Sequence, residues 1–152
     1  SIFHLQNDVL FGQLIRNIHH WSGYLLLIVV FLHFLRVFFS GSFYPPRQFN
    51  WIIGLAMFLA VLTSNITGYL LPWHQQAYWA TTVGTQIVGS VPFIGDFLLK
   101  ALRGGPDLSA LTLQRFFSAH IWILPAMLAA LIGVHLFQII KHGESHFPDE
   151  ED

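Results

Sequence analysis

Four of the nine histidines fall in apolar stretches of the chain, where an ionisable side chain is costly and normally serves a function. His33 follows His19 at spacing i, i+14, and His135 follows His120 at spacing i, i+15. On an α-helix of about 100° per residue, each spacing returns the second ring to roughly the face of the first, about 21–22 Å along the axis. His20 precedes His33 at spacing i, i+13 and therefore lies about 140° away from it. The spacing predicts two helices that each carry two histidines on one face.

The four histidines together predict two stacked metal sites. In a simple up-down-up path the first and third apolar segments run parallel, so His19 faces His120 near one side of the membrane and His33 faces His135 near the other. One imidazole from each of two helices suits heme iron, with the porphyrin between the helices, whereas structural zinc takes about four protein ligands. A single histidine in an apolar helix is more often a hydrogen-bonded core residue or part of a proton path. Matched spacing on two helices favours heme.

Glycine and arginine at matching positions support the heme interpretation. Gly54 and Gly68 also stand at spacing i, i+14. Glycine lets a flat porphyrin approach the backbone, although close helix packing alone would use the same residues. Arg16 and Arg36 lie near the ends of the histidine face. Arginine pairs well with carboxylates such as heme propionates, and the alternative is a side chain that reaches from a helix end to the membrane surface.

The composition is that of a membrane protein. Hydrophobic residues make up 54% and charged residues 10% of the 152 residues, whereas soluble domains carry about 25% charged residues. The net charge of −1 gives no support for nucleic-acid binding. Because the sequence contains no cysteine, it excludes a disulfide, a zinc–thiolate site and a covalently attached c-type heme within this stretch.

Three segments are long and apolar enough for the ~20 residues that a spanning helix needs. They lie at about residues 18–39, 51–71 and 116–140. The connection at about 75–103 indicates two short amphipathic helices at the membrane surface, separated by Gly89–Pro92. We therefore predict an all-α membrane helical bundle with three transmembrane and two interfacial helices, in a domain over 1–142 that is followed by a polar, acidic tail at 143–152. Lysine and arginine placement does not settle its orientation.

Several motifs along the chain are shared with one family of membrane proteins. They include FGQLIRNIHHWSGY, FLHFLRVFFSGSF, TGYLLPW, QAYWATTVGTQIVGSVPFIGD, LRGG and RFFSAH. Together they cover essentially residues 9–142, and on them the chain resembles cytochrome b of the quinol-oxidising cytochrome bc and bf complexes. The i, i+15 histidine spacing and the motifs RNIHHWS and PPRQFNW are closer to cytochrome b6 and its bacterial relatives than to the mitochondrial protein.

The resemblance implies two heme b groups. His19 and His120 would ligate a low-potential heme on the positive side of the membrane, and His33 and His135 a high-potential heme on the negative side. One electron from quinol would pass to an iron–sulfur protein, and the other would cross through both hemes to a quinone-reducing site, with protons moved across as a result. The chain would act as a subunit of a quinol:cytochrome c, or plastocyanin-type acceptor, oxidoreductase.

The resemblance also places one wall of the quinol-oxidising pocket in the segment after TGYLLPW. That wall would comprise Tyr78, Trp79, Ala80, Val83 and Gly84. Ala80 stands where the mitochondrial type has glycine, which should alter inhibitor fit. The opposite wall belongs to the C-terminal half of the family, so a separate, subunit IV-like chain is expected. No catalytic residue is assigned.

Partners and location follow only from the resemblance. They are quinol and quinone, a Rieske-type iron–sulfur protein, a c-type cytochrome, the lipid of a bacterial energy-transducing inner membrane, and a second copy in a dimeric complex. The family begins with a further membrane helix, so the expected architecture is its four-helix diheme bundle without the first helix. The additional c-type heme of the b6 branch is not supported, since Ile140 replaces an arginine that follows the last ligand.

Two other interpretations remain open from the sequence. One is a diheme b-type membrane anchor of another quinone-linked dehydrogenase, such as a hydrogenase or formate dehydrogenase, against which the TGYLLPW connection argues. The other is a transporter or structural subunit whose membrane histidines carry protons or pack. The absence of b-type heme absorption bands would distinguish this last class from the redox proteins.

Overall fold

The chain folds into helices joined by short turns. A computed structural model describes residues 2–143. The helices in this range are α1 (Ile2–Asp8), α2 (Gly12–Phe39), α3 (Gln48–Leu70), α4 (Gln75–Gly89), α5 (Gly95–Arg103), α6 (Ala110–Ser118) and α7 (Leu124–His142). Of the tail predicted over 143–152, only Gly143 lies within the described residues.

Three helical segments of the described chain are long and apolar enough to cross a membrane. They are Gly12–Phe39, Gln48–Leu70 and the continuous stretch Ala110–His142, which confirms the predicted all-α class with three transmembrane helices. The first begins at Gly12 and the third at Ala110, both earlier than the apolar runs predict. Hydropathy detects only the part of a helix that suits lipid, whereas backbone hydrogen bonding continues into the polar turns at its ends.

The central helix of the bundle is α3. It packs against α2 on one side and against α6 and α7 on the other, whereas the Cα atoms of α2 and α7 do not come within 8 Å of each other anywhere in residues 2–143. Ala60, Val61, Thr67 and Leu70 of α3 are buried, while Gly12 is the one buried residue of α2. Because α3 separates its two neighbours, cavities lined by all three helices lie between α2 and α7.

A π-helical turn at Ala119–Ile123 joins α6 to α7 without a break in the helix. Pro125 follows it. Proline lacks the N–H that would bond to the carbonyl four positions earlier, that of Ile121, and its ring clashes with that carbonyl. A π turn takes in one residue more than an α turn. The bulge therefore absorbs the additional residue in the i, i+15 spacing of His120 and His135, so that both rings reach the same side of the bundle.

Arg103 connects α4, α5 and α6 from a buried position, with 4% of its surface exposed. Its guanidinium donates to the Thr85 hydroxyl at 2.8 Å and to the carbonyls of Pro106 and Thr82 at 2.9 and 3.2 Å. The Thr112 hydroxyl donates to the Arg103 carbonyl at 2.7 Å. Because the planar guanidinium bonds to several backbone and side-chain oxygens at once, it fixes the position of α4 against the neighbouring helices.

Arg103→Met keeps most of the side-chain length but leaves the part-buried carbonyls of Thr82 and Pro106 without this donor. We expect the free energy of unfolding to fall by about 1–3 kcal/mol, measured as a lower thermal denaturation midpoint of the detergent-solubilised protein. Lys100→Met is the matched control, because it removes an exposed ion pair with Asp96 (2.6 Å) that contributes little to stability. Equal midpoints for the two variants would contradict the role assigned to Arg103.

Candidate functional site

Two cavities between the helices contain the four paired histidines. One, of about 380 Å³, is lined by His19 of α2 and His120 of the π turn, and we call it the His19 cavity. The other, of about 250 Å³, is lined by His33 of α2 and His135 of α7, and we call it the His33 cavity. The structure thus brings each predicted pair together. The i, i+14 spacing of His19 and His33 along α2 sets the two levels about 21 Å apart.

The imidazoles of His19 and His120 face each other in the His19 cavity. Their ring centroids are 6.0 Å apart and their planes are nearly perpendicular, at 86°. A metal ion at about 2 Å from one nitrogen of each ring sets the centroids roughly 6–6.5 Å apart, so the observed separation suits one ion between the rings. Residues 2–143 contain no group of three or more side chains that could hold a metal ion. Each cavity brings together one pair of imidazoles, an arrangement that can hold iron in a porphyrin.

Two consecutive residues of α3 orient the His120 ring. The Thr67 hydroxyl oxygen lies 3.2 Å from Nδ1 of His120. A Cβ atom at Gly68 would lie 2.6 Å from Cε1 of the same ring, closer than van der Waals contact allows. The sequence suggests that Gly68 accommodates a porphyrin. In the structure this glycine lies directly against the imidazole, which leaves no room for a side chain at position 68.

Several buried polar atoms belong to residues that line the His33 cavity. They include Oδ1 of Asn50 and Nε1 of Trp51, which have no hydrogen-bond partner among the described residues. A Cβ atom at Gly54 would lie 3.6 Å from Cε1 of His135, an ordinary contact. Buried polar atoms in proteins are normally satisfied, so these atoms leave hydrogen-bonding capacity in this cavity for a ligand or for water.

Sequence reasoning does not identify Asn50 and Trp51 as cavity residues. Their counterparts at i+14 are Ser64 and Asn65, which line the His19 cavity. This is the interval that separates the two glycines of α3. The 14-residue interval along α3 could therefore have identified these cavity residues from the sequence. It is hard to recognise because the residue types at the paired positions differ.

The two predicted arginines and His20 also line these cavities. Arg16 and His20 line the His19 cavity, and Arg36 lines the His33 cavity. Each histidine pair therefore has an arginine of α2 nearby, as a ligand that carries carboxylates would need. The His20 ring contacts Trp21 and Tyr24 of the same helix, with centroids 6.1 and 4.8 Å apart.

The residues expected to form a quinol-pocket wall share the exposed side of α4. This set comprises Tyr78, Trp79, Ala80, Val83 and Gly84. The opposite side of the helix is buried through Ala77, Thr81 and Thr85. Trp79 and Val83 keep 56% and 58% of their surface exposed, and a Cβ atom at Gly84 would meet nothing within 4 Å. The set lies outside the residues that line the two histidine cavities, and its surface is open to a ligand or a partner subunit.

Comparison with known protein families agrees with this geometry. The family described as Cytochrome b(N-terminal)/b6/petB matches residues 24–152. The chain belongs to this family. Membership implies heme b as a cofactor and confirms the resemblance to cytochrome b and b6 that the motifs carry.

Relatives of this cytochrome b chain include two bacterial respiratory subunits. The menaquinol:cytochrome c reductase cytochrome b subunits of Geobacillus thermodenitrificans and Bacillus subtilis (strain 168) are 45% and 47% identical to it over 146 residues. Cytochrome b6 of Prochlorococcus marinus (strain MIT 9303) is 39% identical over 145 residues. These matches cover 95% of this chain, which spans 65–66% of the length of these curated relatives.

A solved structure shares the fold of this cytochrome b chain. It is described as a hyperthermophilic respiratory Complex III, and it matches with a TM-score of 0.87 and 29% sequence identity. The match covers 99% of this chain and 42% of that chain.

Gly68→Ala tests the contact between α3 and the His120 ring. The added methyl group would displace the ring, so we expect about a 10–100-fold loss of affinity at that site and a lower heme b content per purified chain, measured as the pyridine hemochrome. Gly133→Ala on α7 is the matched control, because a Cβ atom there meets nothing within 4 Å. Gly54→Ala should lose less heme, since its Cβ makes an ordinary contact with His135. Full heme content in Gly68→Ala would contradict this account.

Proposed function

We propose that the chain is the cytochrome b subunit of a quinol:cytochrome c, or plastocyanin-type acceptor, oxidoreductase. It carries electrons across the membrane between a quinol-oxidising and a quinone-reducing site, which contributes to proton translocation. The observation that carries this proposal is the pair of histidines in each of two cavities at two depths of one helical bundle. The similar subunits of menaquinol:cytochrome c reductase support the same reaction class.

Two heme b groups are proposed, one in each cavity. His19 and His120 would hold the first, and His33 and His135 the second. When bound, such hemes supply reversible one-electron transfer. The 6.0 Å separation of the ring centroids supports the first assignment. The second is supported by the cavity that its two histidines share.

The side chains around each histidine pair would control charge and polarity there. Arg16 and Arg36 would bind carboxylates of the bound group through charge-assisted hydrogen bonds. Trp51 would donate its buried N–H in the His33 cavity. The same cavity is lined by the stacked rings of Phe34 and Phe58, with centroids 5.8 Å apart. Such apolar surface excludes water, which strengthens electrostatic interactions and influences a redox potential.

The exposed side of α4 is proposed as one wall of the quinol-oxidising pocket. Trp79 and Val83 offer apolar surface to a quinone ring, and Gly84 leaves room beside them. The other wall would come from a separate C-terminal cytochrome b chain that covers this side of α4. By the resemblance, the pocket and the His19 cavity lie on the positive side of the membrane, and quinone is reduced near the His33 cavity on the negative side.

The remaining partners are those of a membrane electron-transfer complex. A Rieske-type iron–sulfur protein and a c-type cytochrome would receive the other electron from quinol, in a dimeric complex of a bacterial energy-transducing inner membrane. The three apolar helices support the membrane location. We propose no c-type heme within this chain, because covalent attachment uses cysteine and the sequence contains none.

A heme count tests the two-site proposal. The purified complex should contain two heme b per chain by pyridine hemochrome. His120→Leu and His135→Leu should each lower the count to one, because each removes one of the two histidines that would hold that heme, and the heme that remains shows that the variant is folded. His20→Leu is the matched control, since it removes an imidazole beside His19 in the same cavity and should retain both hemes. Two hemes in His120→Leu, or fewer than two in the unmodified chain, would reject the assignment.

Gly84→Leu tests the proposed wall of the quinol pocket. Position 84 has open space around it, so we expect an unchanged heme spectrum and thermal midpoint. The added side chain would occupy volume intended for quinol, and the quinol oxidation rate should fall about tenfold or more. The measurement is quinol-dependent reduction of a c-type cytochrome by the complete complex. Unchanged turnover with an intact heme spectrum would remove Gly84 from the pocket.

A further inference from the structure

The buried hydroxyl of Thr67 connects α3 to the His120 ring. Thr67 is 3% exposed. Its Oγ1 lies 2.9 Å from the carbonyl oxygen of Thr63, 3.1 Å from that of Ser64 and 3.2 Å from Nδ1 of His120. The next residue, Gly68, lies against the same ring. The ring is therefore held by a polar contact at Nδ1 and by the backbone of α3 beside Cε1.

The chemistry of this hydroxyl decides which nitrogen of His120 carries the proton. A hydroxyl has one hydrogen to donate and two lone pairs that accept. The carbonyl oxygens of Thr63 and Ser64 can only accept, so the hydrogen of Thr67 is directed to them, as threonine commonly bonds to the preceding helical turn. A lone pair of Oγ1 then faces His120, and Nδ1–H donates to it. Nε2 is left with a free lone pair, which is the form that binds a metal.

At the equivalent position beside the His33 cavity, α3 carries an apolar residue. Positions i and i+14 on α3 serve the two cavities in the same way, and the counterpart of Thr67 in this repeat is Ile53. No side chain within residues 2–143 hydrogen-bonds to Nδ1 of His135. His120 and His135 therefore differ in the side chain that α3 offers to Nδ1.

We propose that Thr67 is a positioning residue that fixes His120 in its Nδ1–H form and lowers the midpoint potential of the heme held by His19 and His120. This rests on the proposed function, because it requires a heme in each cavity. A hydrogen bond donated by Nδ1–H makes the imidazole a more basic ligand. A more basic ligand stabilises ferric over ferrous iron, which lowers the potential. Because α3 carries Thr67 beside one site and Ile53 at the equivalent position beside the other, the two hemes should differ in midpoint potential.

Thr67→Val in the complete complex removes the hydroxyl and keeps the shape of the side chain. In an equilibrium redox titration of the heme absorption, we expect one midpoint, that of the heme lost in His120→Leu, to rise by about 59 mV, a tenfold change for a one-electron couple. The other midpoint should not move. Thr67→Ser retains a hydroxyl and should restore the original value, which separates the hydrogen bond from packing. Thr63→Val is the matched control, because its hydroxyl donates to the Leu59 carbonyl at 2.8 Å.

Ile53→Thr is the reciprocal variant and should lower the midpoint of the heme held by His33 and His135. If Thr67→Val does not assemble, this variant decides the proposal, and an unchanged midpoint overturns it. Two hemes with unmoved midpoints in Thr67→Val overturn the role of Thr67 and leave the proposed function standing. Fewer than two hemes in the unmodified chain overturn the proposed function and this inference with it.

Discussion

The contact between α3 and the imidazole of His120 fixes how closely the helices of this bundle approach one another. Gly68 has no side chain, so the ring lies against the backbone of α3, and Thr67 lies beside its Nδ1. The helix that carries His120 can therefore pack directly on α3, while α2 packs on α3 without reaching α7. The cavities that contain the histidine pairs exist because α3 keeps their two walls apart.

Helix α3 lines both histidine cavities with residues that are spaced 14 positions apart. Positions i and i+14 on a helix fall on nearly the same face, so Gly54 and Gly68 each lie against a histidine of the facing helix. The residues beside these glycines are not repeated, with Ile53 at one level and Thr67 at the other. The same backbone geometry therefore builds two sites of similar shape with different surroundings, and the surroundings are what tune a metal centre.

The periodic part of this arrangement can be predicted from the sequence, because helical spacing is a local property. Both histidine pairs and the three long helices follow from it, and each pair lines one cavity. The π turn cannot be predicted in this way, because two residues at spacing i, i+15 lie on roughly the same face of an α-helix even without it. Pro125 is the one local feature of the sequence that indicates the turn.

Contacts that arise from tertiary packing cannot be predicted from local sequence either. As a cationic residue at the end of an amphipathic helix, Arg103 would be expected at the membrane surface. In the structure it is buried and donates hydrogen bonds to oxygens of α4 and of the turn after α5. Trp51 is of the type that anchors membrane surfaces, yet it lines the His33 cavity.

The sparse packing of α2 has a consequence for how the bundle assembles. Among the membrane helices of the described chain, α3 is the one whose Cα atoms come within 8 Å of those of α2, and Gly12 is the one buried residue of α2. A helix with one neighbour in lipid gains little from packing. A heme held by the proposed histidine pairs would bridge α2 to the opposite wall, and its binding would contribute to the folding free energy. Assembly of the bundle would then depend on the group that fills the two cavities, because that group would join α2 to the α3–α7 core.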